Sequence, residues 1–431
     1  MKKKQMIDTA PEALGKERAV LVTVERIGKE VWQLVDRVEE LNRLAESSGV
    51  EVITNEVARR KDLTPNYLIG KGKVEEIAEI VEDSEADVVI FSNDLSASQQ
   101  NNLENIVKVK VIDRTQLILD IFAKRATSNE GKVQVELAQL MYLLPRLSRM
   151  WLHFQKQRGG IGTRGPGEQQ LEVDRRRVRE RISKLKQRLD EITKQRELRR
   201  RQRERFSMMT MALVGYTNSG KSSLFNLLTE AKVTAKNQLF STLDPTVRKR
   251  VLSNKQVVLF SDTVGFLHEL PHHLIESFKA TLEEVVDADI LIHVLDMSDS
   301  RIEEQIGAVK DVLKDLGVDE KPMITVLNKS DKIGNNLEIE RIKRHFTDPV
   351  VTSALDGSGV EELETVVIEH IQKDMEDVEI TVPHKYFAFA KMIQENGSIK
   401  EQEYTEEGLF IKARIPKKLK YAIFKQLKLT K

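Results

Sequence analysis

The stretch GYTNSGKSS, beginning at Gly215, limits the fold of this chain more than any other. Gly215 and Gly220 enclose four residues and are followed at once by Lys221 and Ser222, the pattern of a phosphate-binding loop. An apolar run, MMTMALVG, leads into it and a helical pattern, SSLFNLL, leads out. The glycines let backbone N–H groups face the phosphates, and the helix N-terminus adds partial positive charge. Lys221 reaches the β and γ phosphates, and the Ser222 hydroxyl can ligate Mg²⁺. Such a loop works only between a strand and a helix, so this part of the chain is expected to be an α/β domain with a mostly parallel sheet.

The flanking patterns divide the 431 residues into four parts. Over residues 1–125, AVLVTV, VEVIT, DVVIF and KVKVID alternate with helical stretches, which predicts an N-terminal α/β domain. Residues 126–206 read as a helical hairpin, an antiparallel coiled coil. Val133, Leu137, Leu140, Leu144 and Leu147 form one narrow apolar seam, and Val178, Ile182, Leu185, Leu189 and Ile192 form a second. Pro145 should kink or end the first helix. Residues 207–373 hold the phosphate loop and the runs VVLFSD, DILIHVLD and MITVLNK, expected as a P-loop domain whose nucleotide the motifs below identify. Residues 374–431 read as a small α+β domain, with ITVPHKYFAFAKM and LFIKARIP as strand candidates and a basic helix at the end.

Charge is unevenly placed. The whole chain carries only +1, yet between Arg175 and Arg205 fifteen Lys or Arg face five acids, so this segment is +10 and the remainder −9. A basic block this dense fits a polyanionic partner as well as it fits a solvated helix face. Cysteine is absent, which excludes disulfides and cysteinyl metal sites. No apolar run is long enough to span a bilayer, and the expectation is a cytoplasmic protein.

Three further elements follow the phosphate loop in order. Asp262-Thr263-Val264-Gly265 ends the next apolar strand, where the carboxylate can hold Mg²⁺ through water and the Gly265 N–H can bond the γ phosphate. Thr242, in FSTLD, lies in the connection between them, and loss of the γ phosphate would release both loops. Asn328-Lys329-Ser330-Asp331 follows the strand MITVL, and Ser353-Ala354-Leu355 follows PVVT. The Asp331 carboxylate can accept from guanine N1–H and the exocyclic N2 amine, whereas adenine offers an acceptor at N1 and no amine at position 2. The base is therefore expected to be guanine.

Two motifs fail on context. Gly160 to Gly165 spells the dinucleotide fingerprint, but MWLHFQKQR precedes it and Pro166 follows, where a strand and a helix are required. His268-Glu269-Leu270-Pro271-His272 spells the zinc-protease motif with a proline inside the helix it needs, a cost of about 3 kcal/mol or more. IGKGK, Ile69 to Lys73, reads as a plain helix start.

Together, IGKGKVEEI, GGIGTRGPGEQQLEVDRRR, GYTNSGKSSLFN, FSTLDPT, DTVGF and NKSD resemble the HflX family of ribosome-associated GTPases, over nearly the whole chain. The long middle motif is the most specific of these. The resemblance implies Mg²⁺-dependent GTP hydrolysis, binding to the large ribosomal subunit and its RNA, and the splitting or rescue of stalled ribosomes. It implies nucleotide contacts at Gly215, Tyr216, Thr217, Asn218, Ser219, Gly220, Lys221, Ser222 and Ser223. It extends them to Phe240, Ser241, Thr242, Leu243 and Asp244, to Asp262, Thr263, Val264 and Gly265, to Asn328, Lys329, Ser330 and Asp331, and to Ser353, Ala354 and Leu355. Mg²⁺ ligands are implied at Ser222 and Thr242, with Lys221, Thr242 and Gly265 as catalytic groups.

The five glycines of RGGIGTRGPGE, Arg158 to Glu168, would then tip the helical hairpin. Arg158, Arg164, Arg175, Arg176 and Arg177 can place guanidinium groups on phosphates, and Trp151 and Phe154 can offer faces to unstacked bases or simply pack at the turn. Alternatives to a ribosome partner are a GTP-regulated RNA assembly or unwinding factor, or a GTP-dependent scaffold with incidental hydrolysis. A monomer is expected. Directly after the D-x-x-G element stands Phe266, where Ras-type GTPases carry a water-orienting glutamine. Hydrolysis is therefore expected to be slow until a partner completes the site.

Overall fold

The computed structural model describes residues 16–28, 32–147, 166–205, 208–231, 239–268 and 282–427. Their contacts gather into two compact units, one of residues 1–124 with 138–182 and one of residues 125–137 with 183–431.

The first unit is built on four parallel strands, β1 (Arg18–Arg26), β2 (Glu51–Arg60), β3 (Val88–Phe91) and β4 (Lys110–Asp113), in the order β2-β1-β3-β4. Ala19 to Val22 of β1 are wholly buried, as an apolar strand flanked on both sides must be. The intervening helices start and stop where local chemistry dictates. Ser96 and Gln99 form a reciprocal capping box at helix Ala97–Val107, and Gly49, at φ +90°, ends helix Leu34–Ser48 in the left-handed region. IGKGK does open a helix, Lys71–Ser84.

The second unit holds a six-stranded sheet, β5 (Met209–Val214), β6 (Thr246–Val251), β7 (Val257–Asp262), β8 (Ile290–Asp296), β9 (Met323–Asn328) and β10 (Val350–Val351), in the order β10-β9-β8-β5-β7-β6. All neighbours are parallel except β6 and β7. The neighbours of β5 lie on opposite sides and lead away from each other, so its carboxyl end is a topological switch point where ligands find a crevice. Leu224, Phe225 and Leu228 of helix Lys221–Thr229 pack under the sheet with Leu363, Val367 and Ile371 of helix Val360–Lys373. Each such side chain contributes roughly 1.5–3 kcal/mol on burial. The segment β11 (Met375–Pro383), β12 (Ser398–Thr405) and β13 (Gly408–Pro416) forms an antiparallel sheet, order β11-β13-β12, with helices Phe387–Asn396 and Lys417–Leu427.

The strand expected over ITVPHKYFAFAKM ends at Pro383, and Phe387 onward is helical instead. Ala390 and Ile393 are buried three residues apart, a helical rather than a strand period. Helix Asn129–Leu143 stops two residues short of Pro145, as the backbone restriction before proline requires. In helix Pro166–Arg205, Leu185 is buried and Val178, Ile182, Leu189 and Ile192 are half-buried between exposed charges, so the second seam is real. Among the described residues, no helix is long and apolar enough to cross a membrane.

Candidate nucleotide site

The loop after β5 is shaped by backbone that only glycine tolerates. At Gly215, φ is +153°, and a Cβ would meet the Val294 carbonyl oxygen at 2.2 Å; at Gly220, φ is +95°, and a Cβ would meet Asn328 Nδ2 at 2.2 Å. Asn218 also lies in the left-handed region, at φ +62°. Alternating hands turn successive N–H groups into a concavity suited to anions. The Lys221 Nζ, buried, donates to the Tyr216 carbonyl at 2.8 Å and to that of Gly215 at 3.2 Å. Burial, aided by the Lys329 charge and opposed by Asp262, pulls this ammonium down to about 8.

Three oxygen-bearing side chains from three segments meet beside it. Ser222 Oγ donates to Asp262 Oδ2 at 2.6 Å and lies 2.8 Å from Thr242 Oγ1, which itself reaches Asp262 Oδ2 at 3.1 Å. Asp262 is fully buried, and its Oδ1 has no partner among the described residues. Burial raises its carboxyl above the ordinary range, against hydrogen bonds from Ser222 and Thr242 and the Lys221 charge. Thr217 Oγ1 and Ser219 Oγ are likewise buried without partners among the described residues. Buried polar atoms are almost always paired in folded proteins, so this cluster is chemically open to an added group.

The D-x-x-G segment runs against the loop. Phe266 N–H donates to the Gly215 carbonyl at 3.1 Å, and Thr217 N–H donates to the Phe266 carbonyl at 2.8 Å. A Cβ at Gly265 would meet Thr217 Cα at 2.7 Å and Lys221 Nζ at 3.0 Å, so the glycine permits this approach. Thr263 Oγ1 anchors the segment on the Leu213 carbonyl, and Val264 is buried. The Phe266 ring is completely buried. His268 N–H donates to Tyr216 Oη at 3.0 Å.

At the far side of the loop, Asn328 Nδ2 donates to the Ser219 carbonyl at 2.9 Å, while its Oδ1 accepts from Thr352 and from the Ala354 N–H at 3.0 Å. Lys329 Nζ donates to the Asn218 carbonyl at 2.7 Å and to Asp296 Oδ2 at 2.6 Å. Ser330 N–H donates to the Thr352 carbonyl. Asp331 is exposed, and its carboxylate accepts from Ser353 Oγ at 2.7 Å; that oxygen in turn accepts from Leu355 N–H. Leu355 is exposed, free to cover a flat ligand.

Most residues singled out from the sequence therefore converge. Ser223 follows Ser222 in helix Lys221–Thr229, half-buried, and Phe240 and Leu243 are buried beside half-buried Ser241 and Thr242. The Asp244 carboxylate departs from the expectation of a nucleotide contact: it is held by Thr127 and Ser128. Asp296 as the partner of Lys329 was not expected, although its place at the end of HVLD was a readable signal. Trp151, Phe154, Arg158, Arg164, the Gly160–Gly165 fingerprint and Glu269 to His272 lie outside the described residues. Arg176 and Arg177 are exposed on helix Pro166–Arg205, with Glu180 and Asp174 of the same helix nearby, and Arg175 is half-buried.

Residues 35–123 match a family model described as GTP-binding GTPase N-terminal, residues 125–203 one described as GTP-binding GTPase middle region, and residues 210–329 one described as 50S ribosome-binding GTPase. The GTPase HflX of Caldanaerobacter subterraneus subsp. tengcongensis is 42% identical across 95% of this chain and 93% of its own length. That of Escherichia coli K12 is 42% identical across 89% and 90%. A GTP-binding protein from Sulfolobus solfataricus, crystallised with GDP, is 26% identical and covers 82% of this chain and 98% of its own, with a TM-score of 0.44.

Proposed function

The chain belongs to the HflX family of GTPases, and from that premise we propose that it works on the large ribosomal subunit, splitting or rescuing stalled ribosomes, with GTP setting the bound state. The chain binds GTP and hydrolyses it. The observation that carries the mechanism is the meeting of Ser222 and Thr242 on Asp262 Oδ2, with the buried Oδ1 of the same carboxylate left open among the described residues.

Hydroxyl and carboxylate oxygens are the donor set a hard divalent cation takes. Ser222 and Thr242 would hold Mg²⁺ directly and Asp262 through water. Bound there, the ion would neutralise charge on the β and γ phosphate oxygens. The chain's own residues do the rest. The Gly215–Gly220 loop presents N–H groups to the phosphates, and Lys221 supplies a cation that an adjacent phosphate would keep charged. Gly265 offers its N–H to the γ phosphate. Asn328 and Lys329 brace the loop from behind, and Ser353 orients Asp331 to accept from guanine N1–H and its N2 amine. Departure of the γ phosphate removes what Thr242 and Gly265 hold in common, and both segments are freed.

No water-orienting group stands at the Phe266 position, because that ring is packed into the interior. We propose that the ribosomal partner completes the site. Single-turnover hydrolysis at saturating protein is then accelerated by large subunits at least about tenfold, equal to roughly 1.4 kcal/mol off the barrier. Sedimentation with purified large subunits tests the partner. Binding should be strong with a nonhydrolysable GTP analogue, weaker with GDP, and reduced by salt as phosphate contacts to the basic helix and the glycine-rich stretch are lost. Sedimentation indifferent to nucleotide would count against a GTP-set state and favour a scaffold.

A further inference from the structure

Asp244 lies two residues beyond Thr242, and its carboxylate turns away from the phosphate loop. Its Oδ2 accepts from Thr127 N–H at 2.9 Å, from Thr127 Oγ1 at 2.7 Å and from Ser128 N–H at 2.7 Å, while Oδ1 accepts from Ser128 Oγ. Ser128 is itself the N-cap of helix Asn129–Leu143: its Oγ accepts from Gly131 N–H at 2.8 Å and its carbonyl from Lys132 N–H at 3.1 Å. Space is reserved for the carboxylate as well. A Cβ on Gly131 would fall 2.3 Å from Asp244 Oδ1. Four donors on one carboxylate, across 116 residues of chain, are more than a loop needs to stay folded.

We propose that Asp244 is a positioning residue for the GTPase reaction: it fastens the Thr242 segment to the first turn of helix Asn129–Leu143, and so makes the GTP-bound arrangement depend on that helix. The proposal rests on the assignment of Thr242 to the triphosphate-bound state. Thr242 reaches Ser222 and Asp262, and the first side-chain hydrogen bonds after it in the chain, among the described residues, are those that hold Asp244 to Thr127 and Ser128. GDP lacks the γ phosphate that Thr242 is assigned to sense, so its affinity should not depend on the fastening.

The readout is the ratio of affinities for a nonhydrolysable GTP analogue and GDP, at saturating Mg²⁺, on the full chain. In Asp244→Asn the amide NH₂ opposes N–H donors, and the ratio should fall about tenfold, a loss of roughly 1.4 kcal/mol, with GDP affinity within about twofold of the parent. Gly131→Ala removes no hydrogen-bonding group and places a better helix former, yet it should lower the ratio too, by displacing the carboxylate. Combining Asp244→Asn with Thr127→Val and Ser128→Ala should cost no more than Asp244→Asn alone, the signature of one shared interaction. Thr242→Ala separates the two ideas. If it lowers the ratio while Asp244→Asn and Gly131→Ala leave it unchanged, the positioning role is overturned and the assignment of Thr242 stands. If Thr242→Ala also leaves the ratio unchanged, the assignment of Thr242 fails and the proposal with it.

Discussion

Two aspartates end parallel strands in this chain, both wholly buried, and they are treated in opposite ways. Asp113 closes β4 of the first unit. Its Oδ1 accepts from Gln116 N–H at 2.9 Å, and its Oδ2 from Leu95 N–H at 3.1 Å and from Arg146 at 3.2 Å. Arg146 also lies over the Tyr142 ring, 3.4 Å from its centre. Asp262 closes β7 of the second unit with one oxygen satisfied by Ser222 and Thr242 and the other by nothing among the described residues. Burial raises both carboxyls. A strand-end carboxylate that the protein saturates is a structural joint, whereas one left half-open in the interior is, on the function proposed above, where an outside group binds.

The sharpest way to break this contrast is Asp113→Ala. It would take the paired carboxylate from Arg146, only 15% exposed and otherwise held by neutral acceptors, and leave two backbone N–H groups without their acceptor. A loss of about 3–5 kcal/mol is expected for breaking a buried pair from one side. Chemical unfolding followed by a probe in the first unit should show it, with GTP-analogue affinity unmoved.

His293 tests whether every buried atom without a partner signals a ligand. It lies in β8 with Nε2 unpaired among the described residues, and burial, aided by Lys310 and Lys221, lowers its pKa to about 4. A neutral imidazole can bear that placement. The unfolded chain takes up the proton first, near pH about 6.5, so stability present above that value is lost as pH falls towards about 4, by about 3 kcal/mol in all. His293→Leu should remove this part of the acid sensitivity, read from unfolding curves across that window, without changing GTP-analogue affinity at neutral pH.

Two further substitutions have the smallest expected effect on either quantity. Arg176→Ala and Arg177→Ala remove exposed guanidiniums whose same-helix ion pairs are screened by solvent. Neither should shift the unfolding midpoint measurably. On the RNA-contact reading, each weakens large-subunit binding by only a few-fold and lowers its salt dependence.

The same contrast explains what could be read from the sequence. The phosphate loop, D-x-x-G, NKSD and SAL are short, follow apolar strands and depend on backbone shape, so their residues could be named before their distances were known. The parallel sheets were equally plain, because strands buried on both faces are uniformly apolar. Edge strands were not. In β6, TVRKRV alternates with charge and exposes Arg248 and Lys249, and β12, SIKEQEYT, is exposed almost throughout; neither stands out from a loop. Long-range polar partners were invisible for a different reason. Ser128 and Gly131 mark a helix start, but nothing in their neighbourhood says that the carboxylate facing them is Asp244. Asp113 and Arg146 are separated by 33 residues in the same way.

The most direct measurement of the central claim is the affinity of a nonhydrolysable GTP analogue for the full chain, with Mg²⁺ and with the ion chelated, in the parent, Asp262→Asn and Asp113→Asn. In the parent, chelation should weaken binding strongly. Asp262→Asn should lose about a hundredfold in the presence of Mg²⁺, equal to about 2.7 kcal/mol, respond little to chelation and keep its unfolding midpoint, while Asp113→Asn binds as the parent does. An Asp262→Asn protein that binds as tightly as the parent and stays sensitive to chelation would contradict the reading of the half-open carboxylate as the cation site.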